Sequence, residues 1–145
     1  LLFARQQTRS AADAEDVLQE AVLESWQRAG GGAPPPLPLV YATIRRRAID
    51  LGRAEDRRRT REEASVPHDE AWFDRSVAER EQREQLEAAM KTLPQPQREV
   101  LALKVWGELT FEEIGRVLDI PANTAASRYR YGLDGLRKQL GNDAP

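Results

Sequence analysis

Leu109-Thr110-Phe111-Glu112-Glu113-Ile114-Gly115-Arg116-Val117-Leu118-Asp119-Ile120-Pro121-Ala122-Asn123-Thr124 spells two helices set across a tight turn. Thr110 and Glu113 have the spacing of a capping box, in which each side chain accepts the other residue's backbone N–H and so marks where a helix begins. Phe111, Ile114, Val117 and Leu118 then share one helical face. Gly115 lacks a side chain where a neighbouring helix must approach closely, and Asp119 to Pro121 break the chain before a new helix starts. In that second helix Ala125, Tyr129, Leu133, Leu136 and Leu140 recur at helical spacing and define an inward stripe. Asn123, Ser127, Arg128, Arg130 and Tyr131 are left to point elsewhere. A helix that reads DNA needs hydrogen-bonding side chains near its N-terminus for base edges, and arginines for phosphates. This one supplies both. A three-helix bundle with incidental charge, the competing reading, leaves the capping box, the glycine and the turn as coincidences.

Upstream and downstream the same helical periodicity continues, with no sustained strand-like alternation, so the chain reads as all-α. In Asp13 to Ala29, Val17, Leu18, Ala21, Val22 and Trp26 form one apolar stripe, with Asp13 as N-cap and Gly30-Gly31-Gly32 as the stop. The loop through Pro34-Pro35-Pro36 and Pro38 cannot be helical in its middle. A second helix is expected from about Leu39 to Arg59, with Val40, Ile44, Ala48 and Leu51 on one side and arginines over the rest. Ser65, Pro67 and His68 interrupt the pattern over 61–71, and helical signals return from Trp72 to Met90, with Glu79–Arg83 and Arg80–Glu84 at i,i+4 spacing. After Leu93-Pro94-Gln95-Pro96, helices are expected at about 97–106, 110–118 and 122–140. The resulting organisation is two small helical domains joined by a linker: 1–61, an acidic linker and connecting helix at 62–92, and a helix-turn-helix domain at 93–140.

Composition narrows the chemistry. The 145 residues hold 22 Lys plus Arg, 24 Asp plus Glu, one His and no Cys, with 40% hydrophobic and 32% charged residues. Absent cysteine excludes disulfides and thiolate-bound metals, and His68 alone excludes a multi-histidine site. No run approaches the length of a membrane span and the start is no complete signal peptide, so a soluble, cytoplasmic protein is expected. The first residue is Leu rather than Met, so a trimmed or incomplete chain, with part of an N-terminal helix missing, is expected. The net charge of -2 hides segregation: eight arginines stand between Thr43 and Arg61 against Asp50, Glu55 and Asp56. Between Pro121 and Leu140, Arg128, Arg130, Arg137 and Lys138 oppose only Asp134. Two basic islands separated by an acidic stretch suit a polyanion gripped at two places, because each phosphate contact releases counterions. A solvated helix face is the plainer account of either island alone.

The stretch Leu93-Pro94, Arg98-Glu99-Val100-Leu101, Leu109-Thr110, Glu113-Ile114-Gly115, Ile120-Pro121, Thr124, Ser127-Arg128 and Leu136-Arg137 resembles the promoter-reading C-terminal domain of the small, extracytoplasmic-function bacterial sigma factors. Asp13-Ala14-Glu15-Asp16-Val17-Leu18-Gln19-Glu20-Ala21-Val22-Leu23-Glu24-Ser25-Trp26 is similar to a helix in the N-terminal half of the same family. The resemblance implies that Asp13, Asp16, Gln19, Glu20 and Glu24 dock on core RNA polymerase, at the clamp coiled coil of its largest subunit. Tyr41 to Arg59, with Ile49-Asp50, Arg53 and Arg57-Arg58-Arg59, is similar to the segment that contacts and melts the minus-ten element. Arg45, Arg46, Arg47, Asp50, Arg53, Arg57 and Arg58 are its implied DNA contacts. Asn123, Thr124, Ser127, Arg128, Arg130 and Tyr131 are implied for the minus-thirty-five element. Ala126 and Tyr131 replace residues that are often basic in the family, so a shifted preference with Arg130 taking part of the role is expected.

The implied function is promoter selection and strand opening for a polymerase that performs the chemistry, so no catalytic residue, metal or cofactor is expected in this chain. The acidic linker, with Glu62, Glu63, Asp69 and Glu70, would span between domains without sticking to DNA. An anti-sigma partner is a further implication, and membrane insertion is not expected. The main alternative is a helix-turn-helix regulator that binds DNA unaided as a dimer on symmetric half-sites. Two others are an interaction protein that only captures the polymerase or a regulator, and a magnesium-dependent hydrolase using Asp13, Asp16, Glu20 and Glu24.

Overall fold

The computed structural model describes residues 1–59, 72 and 80–142. The expected connection at 61–71, with its acidic residues, lies outside the described residues, as do the side chains of Glu79 and Arg80 on which two expected ion pairs depend. Among the described residues the structure is helical throughout, with α1 (Leu2–Gln7), α2 (Ala11–Arg28), α3 (Leu37–Arg59), α4 (Arg80–Lys91), α5 (Gln95–Leu101), α6 (Phe111–Leu118) and α7 (Ala122–Asn142). α5 runs on without a break into a π-helical segment, Ala102–Trp106. The chain divides into two compact units, Leu1–Glu70 and Ala71–Pro145.

In the first unit α2 begins earlier than expected. Ser10, in an extended conformation, caps it by accepting the Asp13 N–H at 3.1 Å, which leaves Asp13 inside the first turn, where the helix dipole favours a carboxylate. The inward stripe also differs. Ala14, Val17, Ala21 and Ser25 are buried, whereas Val22 and Trp26 stand exposed. Helical geometry places residues 14, 17, 21 and 25 on one line, so burial here follows position rather than side-chain size. Small residues let α2 lie close to Thr43, Ile44 and Ala48 of α3. The buried hydroxyls are satisfied in series, Ser25 donating to Thr43 Oγ1 at 3.4 Å and Thr43 donating to the Leu39 carbonyl at 2.8 Å. α3 starts at Leu37, with Pro38 tolerated in the first turn because its missing N–H would have had no helical partner there. Phe3 of α1 closes the unit, its ring edge-on to Tyr41 at 5.5 Å.

The second unit has a larger apolar core, including Met90, Leu93, Val100, Leu101, Leu103, Leu109, Ile114, Val117 and Leu118. α4, read from sequence as part of the connecting segment, packs on α7 and buries Ala89 and Met90, so it is an integral part of this unit. Two glycines let α7 lie close to α5 and to the turn before it: a Cβ at Gly132 would sit 2.9 Å from the Leu101 side chain, and one at Gly135 2.6 Å from that of Leu93. Leu140, expected inside, is 38% exposed because the stripe it continues has run past the core by the last turns of α7.

Candidate functional site

The helix-turn-helix is built as the spacing predicts, and its turn is tightly specified. Glu113 N–H donates to Thr110 Oγ1 at 3.1 Å and Thr110 N–H to Glu113 Oε1 at 3.0 Å, completing the capping box. That backbone donor holds the Glu113 carboxyl below the usual range. α6 ends with Asp119 in the left-handed conformation, φ 57°, and the Ile120 N–H returns to the Gly115 carbonyl at 2.9 Å. A Cβ on Gly115 would lie 2.6 Å from the Ile120 carbonyl oxygen. The close neighbour of Gly115 is therefore the turn itself rather than another helix, and the missing side chain sets how α7 leaves α6.

α7 is anchored through Ala125, which is fully buried, and through Tyr129, whose ring lies 5.6 Å from Phe111. At 100° per residue, Asn123, Ser127 and Arg130 then align along the side of α7 away from Ala125, with Thr124 and Arg128 in a second row. Asn123, Arg130 and Tyr131 are exposed, and Thr124, Ser127 and Arg128 half-buried. The Arg130 guanidinium lies 5.6 Å from the Tyr131 ring, which is 58% exposed. All six expected residues thus fall within the first three turns of one helix. Lys104, by contrast, is committed to structure, donating to the Leu109 carbonyl at 3.2 Å and lying 4.5 Å from the Phe111 ring.

In the first unit the structure joins residues that the sequence reading had kept apart. Glu24 accepts from Arg46, from Arg47 Nε at 2.8 Å and from Arg28 at 3.3 Å, and Glu20 accepts from Arg47 Nη1 at 2.8 Å. The hydrogen bonds from Arg46 and then Arg47 hold the Glu24 carboxyl below its usual range. Two residues expected to face the polymerase are thus paired with two expected to face DNA. Asp13, Asp16, Glu20, Arg47 and Asp50 share one cleft of about 250 Å³ between α2 and α3. Asp50, Arg53, Asp56 and Arg57 line another, of about 530 Å³. At 100° per residue Arg46, Asp50, Arg53 and Arg57 share one exposed side of α3, while Arg45, half-buried, and Arg47 and Arg58 lie to either side of it.

Near the end of α3, Arg9 grips Glu55 at 3.4 Å and Asp56 at 2.7 Å. Burial first, and the adjacent Asp13 carboxyl second, push the Glu55 carboxyl up. Among the described residues no group of three or more His, Cys, Asp or Glu is placed to hold a metal ion, and no helix is long and apolar enough to cross a membrane.

Sequence reasoning missed Arg9 and Arg28, which belong to these ion-paired clusters. It also missed that Leu23 and Trp26, 64% and 40% exposed, stand on the solvent side of α2 beside the expected Asp16 and Gln19. The signal was available: Leu23 falls on the helix face opposite Val17 and Ala21, an apolar residue with no core to enter.

With this geometry in hand, comparison with known proteins is informative. Residues 83–133, from within α4 through the exposed rows of α7, match the family model described as Sigma-70, region 4. The chain is 32% identical over 140 residues to the ECF RNA polymerase sigma factor SigK of Mycobacterium ulcerans, covering 91% of this chain and 74% of that protein. It is 30% identical over 141 residues to the RNA polymerase sigma-E factor of Streptomyces avermitilis, covering 97% and 78%. The structure of the sigma factor RpoE from Bartonella quintana, solved in complex with the anti-sigma factor NepR, matches the fold with a TM-score of 0.78 at 16% identity, over 98% of this chain and 89% of that one. Relatedness over nearly the whole chain, added to a helix-turn-helix with its polar rows exposed, places this protein in the family of ECF RNA polymerase sigma factors.

Proposed function

We propose a division of labour within this sigma factor, which directs promoter-specific transcription initiation. The second unit reads the minus-thirty-five element with α7. Asn123, Ser127 and Arg130 reach base edges in the major groove, and Thr124 and Arg128 meet the flanking phosphates. Tyr131 stacks beside Arg130 and limits its rotamers. The observation that carries this reading is the polar line Asn123–Ser127–Arg130, exposed at both ends, behind a turn fixed by Gly115 and the capping box.

The first unit meets the core polymerase through the outward side of α2, where Asp16 and Gln19 flank Leu23 and Trp26, and the clamp coiled coil of the largest subunit is the proposed seat. An apolar centre with a polar rim is the ordinary anatomy of a protein interface. Arg45, Arg53, Arg57 and Arg58 of α3 grip the minus-ten region while it opens, and Asp13, Glu20 and Glu24 hold α2 in register with α3. The polymerase forms the phosphodiester bonds, so this chain needs no catalytic residue. The work is cytoplasmic, and an anti-sigma protein that covers these faces is the proposed means of restraint.

The test is run-off transcription on fragmented genomic DNA from the source organism with sigma-free core polymerase, with and without the chain. Discrete transcripts that require both components are expected, lost in Leu23→Asp and less selective for promoter sequence in Arg130→Ala. Undiminished transcription by Leu23→Asp removes α2's outward side from the interface. Salt-sensitive binding to free duplex without any transcript favours a regulator acting alone.

A further inference from the structure

The length of chain between the two units depends on where the second unit takes hold, and the structure puts that point well ahead of α4. Trp72 is 9% exposed, although it precedes the first residue of α4 by eight positions. Its backbone N–H donates to the carboxylate of Glu87, itself only 7% exposed. The Lys91 ammonium lies 5.0 Å from the centre of its ring and the Arg98 guanidinium 5.6 Å. Glu87 and Lys91 are one turn apart on α4, and Arg98 comes from α5, so two helices of the same unit close on one indole.

We propose that Trp72 is a positioning residue that sets the length of chain joining the two promoter-reading units, and through it the range of spacings between promoter elements that the protein accepts. The proposal rests on the reading that both units contact one promoter. Between Arg59, the last residue of α3, and Trp72 the chain spans at most about 45 Å fully extended; counted instead to Arg80, the first residue of α4, the limit is about 75 Å. The difference of about 30 Å corresponds to roughly eight or nine base pairs of duplex at about 3.4 Å each. A shorter connection also raises the effective concentration of the second unit at its element once the first is bound, and confines it to a narrower region. Trp72 touches neither polymerase nor DNA in this scheme; it acts through chain length.

The experiment uses the full chain with core polymerase on a promoter recovered from the run-off assay, remade with its spacer lengthened and shortened one base pair at a time. The wild-type chain should lose at least tenfold within two or three base pairs of the optimum. Trp72→Ala should flatten that profile on the long side, raising relative output there severalfold, and Trp72→Phe, which keeps a ring for the two cations, should restore the wild-type shape. Eight Gly and Ser residues inserted between Thr60 and Arg61 lengthen the connection with Trp72 seated, and should flatten the profile in the same way even if Trp72→Ala fails to fold.

The absence of cysteine allows a second readout without polymerase, since spin labels at Glu15→Cys and Lys138→Cys report the distance between units directly. Trp72→Ala should extend that distribution to longer distances. Equally narrow profiles for wild type, Trp72→Ala and the insertion would overturn the proposal and leave spacing to the polymerase alone. An unchanged distance distribution would overturn the anchor. No transcript from any spacer with the wild-type chain would overturn the functional reading, and the proposal with it, whatever the spin labels report.

Discussion

The two units solve the same problem, holding basic helices on a small helical body, in opposite ways. The first has a thin core of alanines and hydroxyls and closes its rim with ion pairs, in which Glu20 and Glu24 engage Arg46, Arg47 and Arg28, and Glu55 and Asp56 engage Arg9. The second relies on larger aliphatic side chains and on backbone devices, and leaves Arg130 and Lys138 facing solvent. An arginine count is therefore a poor measure of the positive charge offered to a polyanion. Among the described residues, each island gives up part of its charge within its own unit, Arg46 and Arg47 to Glu20 and Glu24 in the first and Arg137 to Asp134 in the second.

The sharpest way to break this contrast is Met90→Ala. Met90 is fully buried, and a cavity there should cost the second unit about 3–4 kcal/mol and leave the first untouched, as two calorimetric transitions would show. If neither transition moves, α4 is only a connection. Gly115→Val should cost about 3 kcal/mol, because its Cβ meets a backbone carbonyl that has nowhere to go, and duplex binding should fall with it. Arg130→Ala should leave stability alone and cost about 1–3 kcal/mol of discrimination at one promoter position; uniform weakening on every sequence would make it a phosphate contact instead.

Glu24→Gln should have the smallest effect, and its dependence on conditions is what matters. The folded carboxyl is depressed by Arg46 and Arg47, so its stabilisation is present above the unfolded value of about 4.3 and is lost as pH falls through the lower folded value. The variant should therefore lower the melting temperature slightly at pH 7 in low salt, with the difference shrinking as pH falls below the ordinary carboxylate range. Release of Arg46 and Arg47 should steepen the salt dependence of free-duplex binding by up to about 2 in the log–log slope. An unchanged slope would mean that these arginines face away from DNA with or without Glu24.

How much was legible follows the distance over which each feature is encoded. The turn from Thr110 to Pro121 was readable because its cap, its glycine and its break all lie within a few residues of one another. The start of α2 was misread because Ser10 and Asp13 are both competent caps, and only the conformation of Ser10 chooses between them. The pairing of Glu24 with Arg46 and Arg47 joins residues more than twenty apart and depends on how α2 is rotated against α3, which periodicity leaves open. The large apolar residues Val22 and Trp26 were assigned inward because size was taken as a proxy for burial. The Trp72 site needs three separated segments, so no local pattern announces it.

The π-helical segment Ala102–Trp106 has a last consequence. Its hydrogen bonds step one residue further back than in an α-helix, as from the Gly107 N–H to the Ala102 carbonyl at 3.0 Å, which amounts to one extra residue carried without breaking the rod. The wider turn spaces the side chains of Ala102–Trp106 differently around the axis from those of a regular α-helix. Val105 and Trp106, 47% and 41% exposed, owe the side of the rod they occupy to that wider turn.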